Sequence, residues 1–164
     1  MKLLILFFSS LLLLSNFDIN EIRSMYKQSN GSKENTIILY NKLSTVKESD
    51  GNVLWAYKGA SIAMKGRFEK GVKDKAEMFK NGISLVEYAL SQDSLNIELR
   101  FIRLTIQQNS PKLLKYKTRL EEDKNFVLTG FSKITSKGLK EFIGDYILYS
   151  NNFTEEEKNV TSHP

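Results

Sequence analysis

The 164-residue chain has no cysteine, a single histidine at position 163 and only two prolines. The lack of cysteine excludes a disulfide scaffold, a thiol nucleophile, thiolate-bound zinc and a lipidated cysteine. One histidine beside the last residue leaves no imidazole cluster for a metal and no Ser/His or Cys/His catalytic pair. No cofactor and no metal are therefore expected. What is present, 41% hydrophobic, 11% aromatic and 26% charged residues, suffices for a packed core and rules out global disorder or a fibrous chain. The length is that of one ordinary domain, roughly 100–200 residues.

Met1 and Lys2 precede an apolar stretch from Leu3 to Leu14, broken only by Ser9 and Ser10, and the first acid is Asp18. A short positive start and an apolar run below the ~20 residues of a spanning helix predict a secretory signal peptide over residues 1–17. The domain is then expected in the periplasm or outside the cell, with no membrane span after cleavage. The stretch before Asp18 lacks an Ala-x-Ala site, and an uncleaved leader would instead serve as an N-terminal anchor. Loss of the leader removes Lys2 from the 24 basic side chains and none of the 19 acidic ones. The remaining charges are interleaved, with no run of five of one sign, so no nucleic-acid partner is expected.

After the leader the apolar period is helical almost everywhere. Asp18 with Glu21 resembles a capping box for a first helix with Ile19, Ile22 and Tyr26 on one face, ended by Asn30-Gly31. Ser32 suits the cap of a second helix with Ile37, Tyr40 and Leu43 inward. A third, Val53 to Met64, carries a small-residue stripe of Ala56, Gly59, Ala60 and Ala63 that invites close approach of another helix. A fourth is expected from Lys73 to Ser91, and a fifth capped by Asp93 with Leu95, Leu99, Ile102 and Ile106 inward. Pro111 then opens a long sixth segment with Leu113, Tyr116, Leu120, Val127, Phe131 and Ile134, broken near Gly130. A last helix begins after Ser136 with Leu139, Phe142, Ile143 and Tyr146 on one side. The expected fold is all-α, about three antiparallel helical hairpins plus a C-terminal helix over residues 18–150, with a polar flexible tail over 151–164.

Trp55, Gly59 and Ala60 sit as the Trp and Gly-Ala positions do in the first helix of a tetratricopeptide unit, and residues 89–96 resemble the handover to a following repeat. Ser94 stands where proline is usual. Ala89 lies 34 positions after Trp55, so the hairpin is longer than that of a 34-residue repeat by roughly a dozen residues. The third to fifth helices thus resemble a degenerate tetratricopeptide unit. Residues 55–60, 96–103 and 121–124 are also similar to small exported bacterial helical proteins without an assigned activity. The resemblance covers residues 18 to about 135 and implies a helical repeat-like fold and no reaction.

Arg100, Arg103 and Gln107 share a helix face, and guanidinium groups so placed can clamp a carboxylate or another anion. They can equally pair with Glu121, Glu122 or Asp123 on the next helix. Asp123 and Lys124 interrupt an apolar stripe, and a charge facing a core must be paired. Arg100 or Arg103 is the expected partner of Asp123. Trp55 and Tyr57 could present an aromatic surface, although core packing is the simpler fate. The basic segment 65–80 reads as a solvated hairpin tip. Asn30, Asn152 and Asn159 each head an N-glycosylation acceptor pattern, which matters only where exported proteins are glycosylated.

The expected function is therefore that of an exported binding or scaffold protein for an unknown protein or peptide, docked on a surface that includes Arg100, Arg103 and aromatic groups. Two alternatives stand beside it. One is a small periplasmic hydrolase using carboxylates such as Glu87 and Glu98, which would need two of them about 5–9 Å apart in a pocket. The other is an anchored accessory subunit of an envelope complex.

Overall fold

The computed structural model describes residues 17–161. Among them the chain forms eight α-helices and no strand. These are α1 (Ile19–Gln28), α2 (Lys33–Lys42), α3 (Asn52–Gly66), α4 (Val72–Gln92), α5 (Ile97–Asn109), α6 (Leu120–Gly130), α7 (Lys137–Tyr149) and the single turn α8 (Glu155–Lys158). None of them is long and apolar enough to cross a membrane. The leader region lies outside the described residues except for Phe17, which packs against the core.

Local chemistry sets most of the boundaries. The carboxylate of Asp18 accepts from the Asn20 N–H at 2.9 Å, Ser32 from Asn35 at 3.2 Å and Ser136 from Leu139 at 3.4 Å. Glu21 does not complete a box with Asp18 and instead meets Lys42 of α2 at 3.1 Å. Gly31 and Gly51 take positive φ values of 81° and 107° in the turns that end α1 and precede α3.

The tightest helix pair is α3 against α4. A Cβ placed on Gly59 would lie 2.5 Å from the Gly82 carbonyl oxygen, and one on Gly82 would lie 2.4 Å from that of Gly59. At the end of α3, Gly66 approaches Lys75 and Met78 near the start of α4, so the two helices run antiparallel. The expected small-residue stripe is therefore the surface on which the backbones nearly touch.

Two apolar clusters result. The first joins α1 to α5 through Ile22, Leu39, Tyr57, Val86, Leu99 and Ile102; the second joins α5 to α6, α7 and the C-terminal segment through Phe101, Leu104, Val127, Ile143, Ile147 and Phe153. Helix α5 belongs to both. Six aromatic rings cross from one cluster to the other edge to face, in the order Tyr57, Tyr26, Phe142, Phe101, Tyr146 and Phe153, with centroids 5.2–6.4 Å apart.

Four expectations need correction. Leu43, just past the end of α2, is buried as expected, but the helix itself buries Thr36 and Leu39 rather than Ile37 and Tyr40, because the Thr36 hydroxyl is satisfied by the Ser29 and Ser32 carbonyls at 3.1 and 2.7 Å. Asn96, not Asp93, caps α5, accepting from Glu98 and Leu99 N–H at 3.0 and 3.2 Å, which leaves Leu95 outside the helix and exposed. Pro111 opens only the 3₁₀ turn Lys112–Leu114, and α6 starts later, at Leu120. The segment after residue 150 does not trail from the body as far as it is described. Phe153 is buried, Lys124 pairs with Glu157 at 2.7 Å, and Thr154 with Glu157 forms a capping box.

Gly82→Ala tests the α3–α4 contact. A methyl group cannot fit 2.4 Å from a backbone oxygen, so the helices must separate. The loss of about 1–3 kcal/mol from overpacking should outweigh the gain of about 1 kcal/mol in helix propensity. Urea unfolding should show a lowered midpoint; an unchanged or raised midpoint contradicts the close crossing.

Candidate functional site

The predicted polar residues do come together, and they are consumed by one another. Asp123 has no exposed surface and receives four hydrogen bonds. Arg103 donates Nε to Oδ2 at 2.6 Å and Nη2 to Oδ1 at 2.7 Å; Arg100 Nη1 adds one to Oδ1 at 3.0 Å and Gln107 Nε2 one to Oδ2 at 2.7 Å. The Gln107 oxygen in turn accepts from the Arg119 N–H at 3.0 Å, just ahead of α6. Outside this centre Arg100 reaches Glu122 at 2.7 Å, and Arg103 reaches Glu87 at 3.0 Å. Burial alone would lower the Arg103 pKa, but the hydrogen bonds and charge of Asp123, with those of Glu87, more than offset it and hold the group above its usual value. The cluster is a pin between α5 and α6 with few donors to spare for a ligand.

A second buried pair lies at the first turn of α5. Arg23 of α1 grips Glu98 with Nε to Oε1 at 2.8 Å and Nη2 to Oε2 at 2.7 Å, and the Tyr57 hydroxyl donates to the same Oε1 at 2.8 Å. Tyr57 is fully buried and cannot face a ligand. Trp55 is half-buried against the first cluster, with the Lys58 ammonium 5.1 Å from its ring centroid. Glu87, the other carboxylate of interest, accepts from Tyr116 as well as from Arg103. Neither Glu98 nor Glu87 stands in an apolar cleft as an unshared acid.

The space available to a ligand is elsewhere. A cavity of about 620 Å³ opens between α1, α3, α4, α5 and α7, with Pro111 and Leu114 also in its lining. Its walls are mainly apolar, with Ala63, Met64, Phe79, Phe101, Ile106 and Phe142 among them. That volume and lining are typical of a small-molecule seat. Three of its hydroxyls spend their protons within the protein. Thr105 donates its hydroxyl proton to the Ile102 carbonyl at 2.8 Å, which leaves Tyr26 to donate to Thr105 at 2.7 Å, and the Tyr146 hydroxyl donates to Gln108 at 2.7 Å. Its charged groups are Lys27, Arg67, Lys75 and Asp145. Asp145 is its single carboxylate, and neither Arg100, Arg103, Gln107, Asp123, Trp55 nor Tyr57 lines it. Among the described residues no group of three His, Cys, Asp or Glu side chains is placed to hold a metal ion.

Comparison of the chain with protein-family models, curated proteins and solved structures found no match. The site is therefore read from geometry alone. The cavity residues were missed in the sequence because they come from five helices and the turn at Pro111, and each apolar one reads locally as ordinary core. The one available signal was the smallness of Ala63 and Gly66, which leave volume where the other helices supply aromatic rings.

Two measurements check the polar architecture. Asp123→Asn keeps the shape but removes the charge that Arg103 and Arg100 share, and should cost about 3–5 kcal/mol in urea unfolding, whereas Glu122→Gln at the exposed edge should stay close to wild type. Desolvation first, and then Glu98 for Tyr57 and Glu87 for Tyr116, raises the pKa of both phenols; desolvation also raises that of Tyr26 against the smaller, opposite effect of its hydrogen bond with Thr105. In the unfolded chain these groups ionise near pH 10 and release protons the folded state keeps. Their contribution to stability is complete below pH 10 and is lost as pH rises above it. Tyrosinate absorbance should thus rise in a late step coincident with unfolding, and full titration of every tyrosine before unfolding would contradict this burial.

Proposed function

We propose that this chain is an exported binding protein without catalytic chemistry, and that its ligand sits in the cavity between α1, α3, α4, α5 and α7. Export rests on the apolar leader of residues 1–17. The binding reading rests on one observation, a largely apolar cavity of about 620 Å³. A hydrolase is less well supported, since the cavity has the single carboxylate Asp145, and that group is paired with Lys27 at 2.6 Å. Docking on Arg100 and Arg103 is less well supported too, since both are engaged by Asp123.

A second reading keeps a protein or peptide partner, with one of its apolar side chains in the same cavity. Tyr149 on the cavity wall and Leu113 next to the lining residue Leu114 favour it, because both are large, apolar and more than four-fifths exposed. Intact mass of the exported protein separates a cleaved leader from an anchored accessory subunit.

The cavity reading is tested with N-phenyl-1-naphthylamine, a neutral apolar probe that fluoresces when removed from water. Binding should saturate at one probe per chain. Met64→Trp and Leu114→Trp, which fill the cavity from two different elements, should each abolish it while cooperative unfolding is retained. Non-saturating binding, or binding indifferent to both substitutions, would place the ligand elsewhere.

A further inference from the structure

The charges around the cavity are unbalanced, and the imbalance bears on the ligand. Lys27 and Asp145 neutralise one another across the α1–α7 edge at 2.6 Å. The other two charged lining residues, Arg67 and Lys75, form no salt bridge with a carboxylate among the described residues. Both residues line the cavity, and their backbones lie close together where α3 passes into α4. Gly66, which precedes Arg67, lies against the start of α4, the position of its absent Cβ being 3.2 Å from the Lys75 carbonyl oxygen. The Arg67 charge also acts on the Tyr26 hydroxyl inside the cavity, easing its ionisation against the larger, opposite effect of burial. Deeper in, Phe79, Phe101, Ile106 and Phe142 offer only apolar surface, and the hydroxyls of Tyr26, Thr105 and Tyr146 already have partners.

A wall of this kind discriminates along its length. A polar group at the floor would lose its hydration without a replacement hydrogen bond, so the inner part of the ligand has to be apolar. At the corner of Arg67 and Lys75 an anion gains two cations, a neutral group gains little and a cation is repelled. We infer that the ligand is a small amphipathic anion, an apolar body of medium length ending in a carboxylate, with the body on the aromatic floor and the carboxylate between Arg67 and Lys75. This rests on the cavity being the binding site. The remaining occupants, a neutral apolar molecule or an apolar side chain of a protein, have no use for the two unpaired cations.

The test displaces N-phenyl-1-naphthylamine from the full chain with decanoate, decanol and decyltrimethylammonium, each below its aggregation concentration. Decanoate should compete better than decanol by roughly three- to tenfold at low salt, with the gap closing as salt is added, and the cation should be weakest. The Arg67→Ala, Lys75→Ala double variant should bring decanoate to the level of decanol and leave decanol unchanged; both residues are exposed, so the fold is expected to survive. Equal competition by decanoate and decanol in the wild type, or a preference that persists in the double variant, overturns the assignment of the head group and leaves the cavity reading intact. Failure of the probe itself to bind overturns both.

Discussion

Helix α5 is wrapped on nearly every side, and the rest of the molecule is arranged around that constraint. Glu98, Leu99 and every residue from Phe101 to Gln107 are buried. A helix enclosed in this way cannot turn its polar residues to water, so each must find a partner on whichever neighbour covers it. Glu98 finds Arg23 and Tyr57, Thr105 finds Tyr26, and Arg103 and Gln107 find Asp123. Glu98 and Thr105, seven residues apart, share the side that meets α1, while Arg103 and Gln107, four apart, share the side that meets α6. Together they set how far α1, α3 and α6 may slide along α5, since a shift by one residue would leave a buried charge alone at a cost of several kcal/mol. The apolar contacts around them tolerate small adjustments, but a forked guanidinium on a carboxylate does not.

The same enclosure explains where space is left. Helices α3 and α4 meet backbone to backbone at Gly59 and Gly82, a contact that draws the two together and buries almost no side-chain volume. The face that the last turn of α3 offers to α1, α5 and α7 is correspondingly thin, built from Ala63, Met64 and Gly66. Opposite it stand Tyr26, Phe142, Phe101 and Tyr146, which hold one another edge to face and cannot readily fold inward to fill the gap. A small-residue wall facing a braced aromatic wall is a cavity by construction.

Much of the fold was legible because its causes are local. Ser32 and Ser136 sit before helical periods and act as caps, Gly31 sits where a positive φ is needed, and the Gly59 stripe announces a close neighbour without naming it. The errors arose where a polar residue was satisfied in a way the pattern does not display. Thr36 could be buried because its hydroxyl returns to backbone carbonyls of the preceding turn, which displaced Ile37 from the inner face. Asn96 outcompeted Asp93 as a cap because it takes two N–H groups, while Asp93 is occupied by the Asn96 amide at 2.9 Å. The interruption of an apolar stripe by Asp123 did point to a buried ion pair with the preceding helix. Its counterpart, Glu98 with Arg23, is 75 positions apart in the chain and gave no comparable signal.

That asymmetry bears on function. Arginine pairs in a sequence invite a reading as anion sites, yet here the guanidinium groups of Arg23, Arg100 and Arg103 hold helices together. Those roles follow from burial, since a carboxylate without exposed surface leaves its partners no freedom to serve another anion. Among the cations that line the cavity, the two without a salt bridge have unremarkable sequence surroundings, Arg67 in the connection between α3 and α4 and Lys75 in the first turns of α4. What distinguishes them is position alone: they stand at the edge of the enclosed apolar volume, where an anionic group loses less hydration than it would inside and still lies within reach of both charges. A recognition site assembled in this way needs no motif, because its selectivity comes from the order of surfaces along the cavity, apolar at depth and basic at the rim.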